Sequence, residues 1–260
     1  MKETVIVEKV RVIKKIVRET VLVEGASDVV EKENACRGNL LMGWSWIDIT
    51  PDLPVQLWGQ FHERIGHYVR DPVTATALAI EGQDAAGNAE QAIAISCDLV
   101  GLAGNITNRV REMIASRIPD FDGRKLFISA THTHTAPTSV EGWYPSPPTG
   151  VMLPAEYAEF LVQRLAGIAV ESWTARRPMG VSWALGRAAI GHNRRIVLDD
   201  GRAQMYGNSN TPQFMGLEGA QDTGVELLYV WEGEQLQGVV INLGCTPQTV
   251  GHYTFVSADV

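Results

Sequence analysis

The sequence lacks any uninterrupted apolar run near the ~20 residues that span a bilayer, so no transmembrane helix is expected. Its N-terminus has no continuous apolar core of signal-peptide type, and the compartment stays open. Basic residues are in deficit: Lys and Arg total 22 against 30 Asp and Glu, a formal charge of −8. So acidic a chain excludes broad nucleic-acid binding. Cysteine is scarce. Cys36, Cys97 and Cys245 are odd in number, widely spaced and without a Cys-x-x-Cys, which excludes a disulfide framework. A Gly-x-Ser-x-Gly elbow and a P-loop are both missing, so serine-hydrolase and nucleotide readings have no motif.

What is present is ordinary for a soluble globular protein. The chain has 260 residues, 45% hydrophobic and 20% charged, enough for one large domain or two small ones. Residues 1–34 stand apart, with a near-repeat of ETVIVE (3–8) and ETVLVE (19–24) amid Lys, Arg, Glu, Val and Ile. Val5/Val7 and Val10/Val12 alternate as in a strand, while Ile6, Val10, Ile13 and Val17 fit a heptad equally well. The expectation is a low-complexity charged extension, with self-association as its alternative use. A compact domain over 40–260 follows, expected to be incomplete at its C-terminal end.

Within that domain, 44–51 alternates and then breaks at Pro51 and Pro54. Strands are expected at 74–81, 92–96, 126–130, 181–185, 225–231 and 239–243. The DAAGN turn at 84–88 separates the first two. A helix over 105–117 has Asn105 or Thr107 to cap it, and Ile106, Val110, Met113 and Ile114 on its apolar face. A strand, a helix and another strand in that order imply a βαβ unit with parallel strands. A longer helix over 154–175 starts at Pro154, carries Tyr157, Leu161, Leu165, Ile168 and Ser172/Trp173 as a core stripe, and stops before Pro178. The Pro/Gly-rich 142–150 is a loop. The Gly-, Asn- and Asp-rich 191–221 reads as a long functional loop or hairpin. The fold class is α/β: mixed sheets, partly parallel, flanked by helices.

The chemistry concentrates at 126–137, LFISATHTHTAP. A short apolar strand gives way to Thr131-His132-Thr133-His134-Thr135. Residues two apart on an extended chain share a side, which groups His132 with His134 and the threonines opposite. Two imidazoles at a strand's carboxyl end can grip one metal ion, or one can grip it while the other handles protons. The bland alternative is a polar, β-branched sheet edge. Two other expected strands also end in polar chemistry, at Asp98 and at Cys245-Thr246-Pro247-Gln248, and ligands bind at the carboxyl ends of parallel strands. A hydrolytic zinc needs about three protein ligands and an open position. Asp98, Asp259 and His252 are weaker candidates to join the histidines. His62 and His67 of FHERIGH are five apart, off any one helix face, and read as loop or surface residues. Arg194, in Gly191-His192-Asn193-Arg194-Arg195, suits a carboxylate, a phosphate or a developing oxyanion, against the bland reading of a solvated arginine.

The run Ser129-Ala130-Thr131-His132-Thr133-His134-Thr135-Ala136-Pro137 resembles the Ser-x-Thr-His-Thr-His-Ser-Gly-Pro signature of the neutral/alkaline ceramidase family. Looser matches follow that family's order: Asp48-Ile49-Thr50-Pro51, the strand pair at 74–80 and 92–99, Asn193-Arg194, the 242–248 segment and Ser257-Ala258-Asp259. The resemblance covers roughly 40–260. It implies a zinc amidase acting on the N-acyl bond of a lipid amide, with one Zn2+ per chain. His132 would be a ligand, His134 a proton handler or oxyanion partner, Arg194 a substrate-holding group, and Asn193 and Gln248 substrate contacts. It also hints at export. Where the family places a second histidine ligand, this chain has Thr246, and the family's glutamate and tyrosine ligands come from a later part of the chain. Cys245-Thr246-Pro247-Gln248 looks more like the Cys-Pro-Ser-Gln variant of a bacterial branch. Two functions therefore compete: a zinc-dependent amide hydrolase, and a non-catalytic binding protein or fragment that keeps the fold with an incomplete metal site.

Overall fold

The computed structural model describes residues 40–84, 86–250 and 252–259. The expectations for residues 1–34 and for Cys36 lie outside them.

The main sheet has five strands in the order β6-β5-β4-β1-β7. Strand β1 (Leu41–Asp48) pairs antiparallel with β4 (Thr74–Gln83), and β4 with β5 (Ala89–Cys97) across the tight turn that the DAAGN stretch forecast. Inside that turn the Asp84 carboxylate accepts from the Asn88 backbone N–H at 2.8 Å. Strand β5 then pairs parallel with β6 (Leu126–Ala130), with helix α1 (Ile106–Ala115) as the crossover between them. The expected βαβ unit is therefore present. Helix α1 buries Ile106, Val110 and Ile114, yet Asn105 makes no side-chain capping bond and the helix ends two residues sooner than expected.

Helix α2 (Pro154–Thr174) packs on β1, β4, β5 and α1. Its start is fixed by Pro154 and by the Glu156 carboxylate accepting from the Leu153 N–H at 2.8 Å. Tyr157, Leu161, Leu165, Ile168 and Trp173 are buried as the 3.6-residue period requires, and the Tyr157 hydroxyl donates to the Ile49 carbonyl at 2.9 Å. Strand β1 passes so close to the helix end that a Cβ on Gly43 would lie 2.1 Å from the Ser172 carbonyl oxygen. Pro178 does not merely stop the helix. With Arg177 it forms β7 (Arg177–Pro178), the edge strand beside β1.

The remaining strands form smaller sheets. Strands β2 (Val55–Leu57) and β3 (Arg64–Gly66) make a two-stranded ribbon, so FHERIGH is part strand. Strands β8 (Gly180–Arg187), β12 (Gly224–Glu232) and β13 (Gln235–Leu243) make an antiparallel sheet in the order β13-β12-β8. Val230 joins it to the main sheet through Met42, Leu78 and Met179. Its far end leaves Trp183, Leu185 and Ile241 in solvent. The stretch read as a long loop or hairpin contains a β9–β10 hairpin and folds into a third sheet of β9 (Arg195–Leu198), β10 (Ala203–Met205) and β11 (Phe214–Leu217), order β10-β9-β11. The strand before Cys245 thus belongs to an antiparallel sheet, not to the parallel pair, and the expected convergence on one parallel sheet edge does not occur. The sheets are mixed parallel and antiparallel with two helices among the described residues: an α/β fold.

Candidate active site

The ladder of the parallel pair ends at Cys97–Ala130. Beyond it the chain is held by two more backbone bonds, Thr131 N–H to the Cys97 carbonyl (2.9 Å) and His132 N–H to the Leu99 carbonyl (2.8 Å). His132 then turns the chain with φ +67°, in the left-handed region that β-avoiding polar residues tolerate better than most. The two histidines are therefore carried on a turn, not on an extended strand. The expected sidedness survives this change. Thr133 and Thr135 are buried, and both hydroxyls donate to the Ser257 carbonyl, at 3.3 and 3.0 Å. The imidazoles take the opposite side, edge to face, with ring centres 5.0 Å apart.

The two rings are not equivalent. His132 is exposed, and its Nδ1 lies 2.6 Å from the Val100 carbonyl oxygen. A carbonyl only accepts, so Nδ1 carries a proton, and in the neutral ring the lone pair is on Nε2. This arrangement is the one that orients a metal-ligating imidazole. His134 is half-buried, and its Nδ1 is enclosed with no hydrogen-bond partner. Burial holds its pKa down at about 4, and His132, Arg64 and Arg194 push it in the same direction. The ring is accordingly neutral near pH 7.

Gly59 sits against His134: a Cβ there would lie 2.7 Å from His134 Cα and Cγ, and its φ of +107° suits glycine. Trp58 N–H donates to the Ala136 carbonyl at 3.0 Å, and the Trp58 ring covers Gly101 beside Val100. The segment from Thr254 to Asp259 backs the histidine turn. Ser257 N–H donates to the Thr135 carbonyl (3.1 Å), and the Ser257 hydroxyl donates to Asp71 Oδ2 (2.7 Å).

Arg194 precedes β9 and is exposed. Its Nη1 donates to the Tyr206 hydroxyl (2.9 Å) and to Gln248 Oε1 (3.2 Å), and its guanidinium lies over the Tyr206 ring. No carboxylate among the described residues pairs with it. With Asn193, Cys245, Thr246 and Gln248 it lines a cleft of about 610 Å³. The Cys245–Gln248 segment thus comes to Arg194 through tertiary packing, and Arg194 is near enough for its charge to act on His134. Asn193 is also tied down beside the cleft: its amide donates to the Glu218 carbonyl, and its Oδ1 accepts from the Arg195 N–H at 2.9 Å. These bonds hold the loop that leads into β9.

The weaker ligand candidates are placed as follows. Asp98 Oδ2 accepts from the Thr74 N–H and hydroxyl at 2.9 and 2.8 Å. Asp259 is buried at φ +58°, accepts from the Val250 N–H at 3.0 Å, and has its pKa raised, by burial first. His252 lies on an exposed turn. Among the described residues no three His, Cys, Asp or Glu side chains gather closely enough to hold a metal ion. His132, by its tautomer, fits a zinc ligand, and His134 is close enough to be its neighbour. A third ligand is not found among these residues. Sequence reasoning missed Arg64, Gly59 and Val100. Their contributions are a buried fork of donors, an absent Cβ and a backbone carbonyl, none of which marks the local sequence.

No protein-family model and no curated protein sequence matches the chain. Solved structures do. The crystal structure of neutral ceramidase from Pseudomonas aeruginosa superposes with a TM-score of 0.65 at 16% identity, over 85% of this chain and 34% of that one. A ceramidase complexed with C2 gives 0.64 at 16% identity, over 85% and 33%. The chain spans about a third of the length of these structures, and what it shares with them is a ceramidase-like α/β fold.

Proposed function

We propose that the chain carries the His132/His134/Arg194 part of an amide-hydrolase site acting on an N-acyl substrate, with a lipid amide of the sphingolipid kind as the first to try. The observation that carries this reading is the His132 imidazole, its Nδ1 fixed on the Val100 carbonyl and its ring edge to face with the His134 imidazole, centres 5.0 Å apart. The fold shared with two ceramidases supports it.

The residues divide the work by their chemistry. His132 Nε2 is the atom that would hold a metal. Zinc bound there would supply a water of lowered pKa and polarise the amide carbonyl. His134, with its pKa near 4, is too weak a base to take a proton from ordinary water and is better suited to donate a hydrogen bond. A neutral imidazole of this kind can stabilise the oxygen of the tetrahedral intermediate. Arg194, held by Tyr206 and Gln248, presents its remaining N–H groups to the cleft and can orient the carbonyl or a polar head group. Gln248 reaches substrate only beside that guanidinium.

The test is zinc content and amide hydrolysis of the full-length protein with and without His132→Ala. Loss of both supports the reading; unchanged zinc and turnover end it. The second reading, a non-catalytic binder that keeps the fold, is favoured by Thr246 and by the want of a third ligand among the described residues. Elemental analysis separates the two: stoichiometric zinc speaks for the enzyme, a metal-free folded chain for the binder.

A further inference from the structure

Arg64 belongs to β3, inside FHERIGH but between the two histidines for which that stretch was read, and is 4% exposed. Its guanidinium meets three carbonyl oxygens from three separate stretches of chain. Nη2 donates to His134 at 2.6 Å and to Trp58 at 2.8 Å, and Nη1 donates to Tyr253 at 3.0 Å. The stretches also meet one another directly, Trp58 N–H on the Ala136 carbonyl and Ser257 N–H on the Thr135 carbonyl, but none of those bonds takes the carbonyl of His134. The first holds the second imidazole. The next leads into Gly59, which is pressed against that imidazole. The last leads into the Thr254–Asp259 segment that backs the histidine turn. A planar fork with fixed donor directions can tie three carbonyls at once. An ammonium group, a compact point charge on a flexible stem, does not reproduce that geometry.

We propose that Arg64 is the positioning residue of the histidine pair, setting where the His134 ring stands by clamping its backbone to the Trp58 and Tyr253 segments. The proposal rests on the amide-hydrolase reading for its purpose, but not for its test. His132 is held by Leu99 and Val100, whereas the three Arg64 bonds above go to His134, Trp58 and Tyr253, so the two rings respond differently to its removal.

The experiment compares the imidazole NMR signals of the full chain with those of Arg64→Lys and Arg64→Ala. In Arg64→Lys the His134 signals split or broaden, the His132 signals stay single, and amide exchange across β4 and β5 is unchanged. Guanidinium ion at low, non-denaturing concentration restores a single His134 signal in Arg64→Ala, whereas sodium at equal ionic strength does not. Where an amide substrate is turned over, kcat in Arg64→Lys falls about 10- to 100-fold with KM little moved. His134 signals identical to wild type in Arg64→Lys, or equal rescue by sodium, overturn the proposal. If both variants fail to fold, the wild type decides: resolved, slowly exchanging Arg64 Nη hydrogens support the clamp, and averaged ones overturn it. A wild type without amide hydrolase activity would defeat the functional reading and leave the imidazole measurement standing.

Discussion

His132 and His134 stand edge to face with their ring centres 5.0 Å apart, yet only His132 has its Nδ1 on a partner, the Val100 carbonyl. Two residues of the same type, one residue apart, are thereby given different jobs. One is exposed, with its Nδ1 proton held on a backbone carbonyl. The other is kept neutral by burial and by the positive groups around it.

The first consequence concerns pH. His134 has its pKa lowered from 6.5 to about 4 in the folded chain. Between those values the unfolded chain binds more protons than the folded one, so stability from this group rises with pH across the window. It is fully present above 6.5 and is lost as pH falls through about 4. An NMR titration should show the His134 ring neutral down to about pH 4. A midpoint near 6.5 would refute this.

Gly59→Ala should damage the site without touching any ionisable group. Its Cβ would fall 2.7 Å from the His134 backbone and ring at a φ of +107°. A cost of about 1–3 kcal/mol is expected from the backbone alone, with displaced His134 signals. Urea unfolding together with the imidazole spectrum checks both parts.

Thr135→Val keeps shape and removes a buried hydroxyl that donates to the Ser257 carbonyl at 3.0 Å. Thr133 still donates to the same oxygen, so the carbonyl is not orphaned. The loss should therefore be small, about 1 kcal/mol, by urea unfolding. Ser257→Ala should cost more, because its hydroxyl donates to Asp71 and also accepts from the Asp259 N–H.

Gly43→Ala tests the fold away from the site. The added methyl would lie 2.1 Å from the Ser172 carbonyl oxygen, so strand β1 and helix α2 must part. Destabilisation of about 3 kcal/mol or more is expected in chemical unfolding.

Arg194→Met should leave the fold intact, since the side chain is exposed and carries no ion pair among the described residues. In the proposed reaction it should lower kcat/KM about 10- to 1,000-fold. Wild-type turnover in this variant would remove Arg194 from the site.

Much of the fold was legible in the order of residues. The strands at 74–81 and 92–96, the parallel return at 126–130 and the stripe of helix α2 follow from period and length, because these elements bury one continuous core. Inside 191–221 a hairpin was legible only as an alternative to a loop, and the three-stranded sheet was not. Its strands are three or four residues long, too short to display a period, and their pairing is set by tertiary contacts. At the site, the side taken by His132 and His134 was readable from alternation with Thr133 and Thr135. The turn that carries them was not, because φ at His132 is imposed by Leu99 and Val100 on a neighbouring strand's exit. Arg64 was invisible for a similar reason: its three partners lie 6, 70 and 189 residues away along the chain.

Because both imidazoles lie past the last rung of the β5–β6 ladder, the sheet itself does not hold them. Their placement depends on Val100, Gly59, Arg64 and Ser257, which come from three distant parts of the polypeptide. The nine-residue motif is therefore not portable: grafted onto another parallel sheet without those four neighbours, it would yield two ordinary surface histidines.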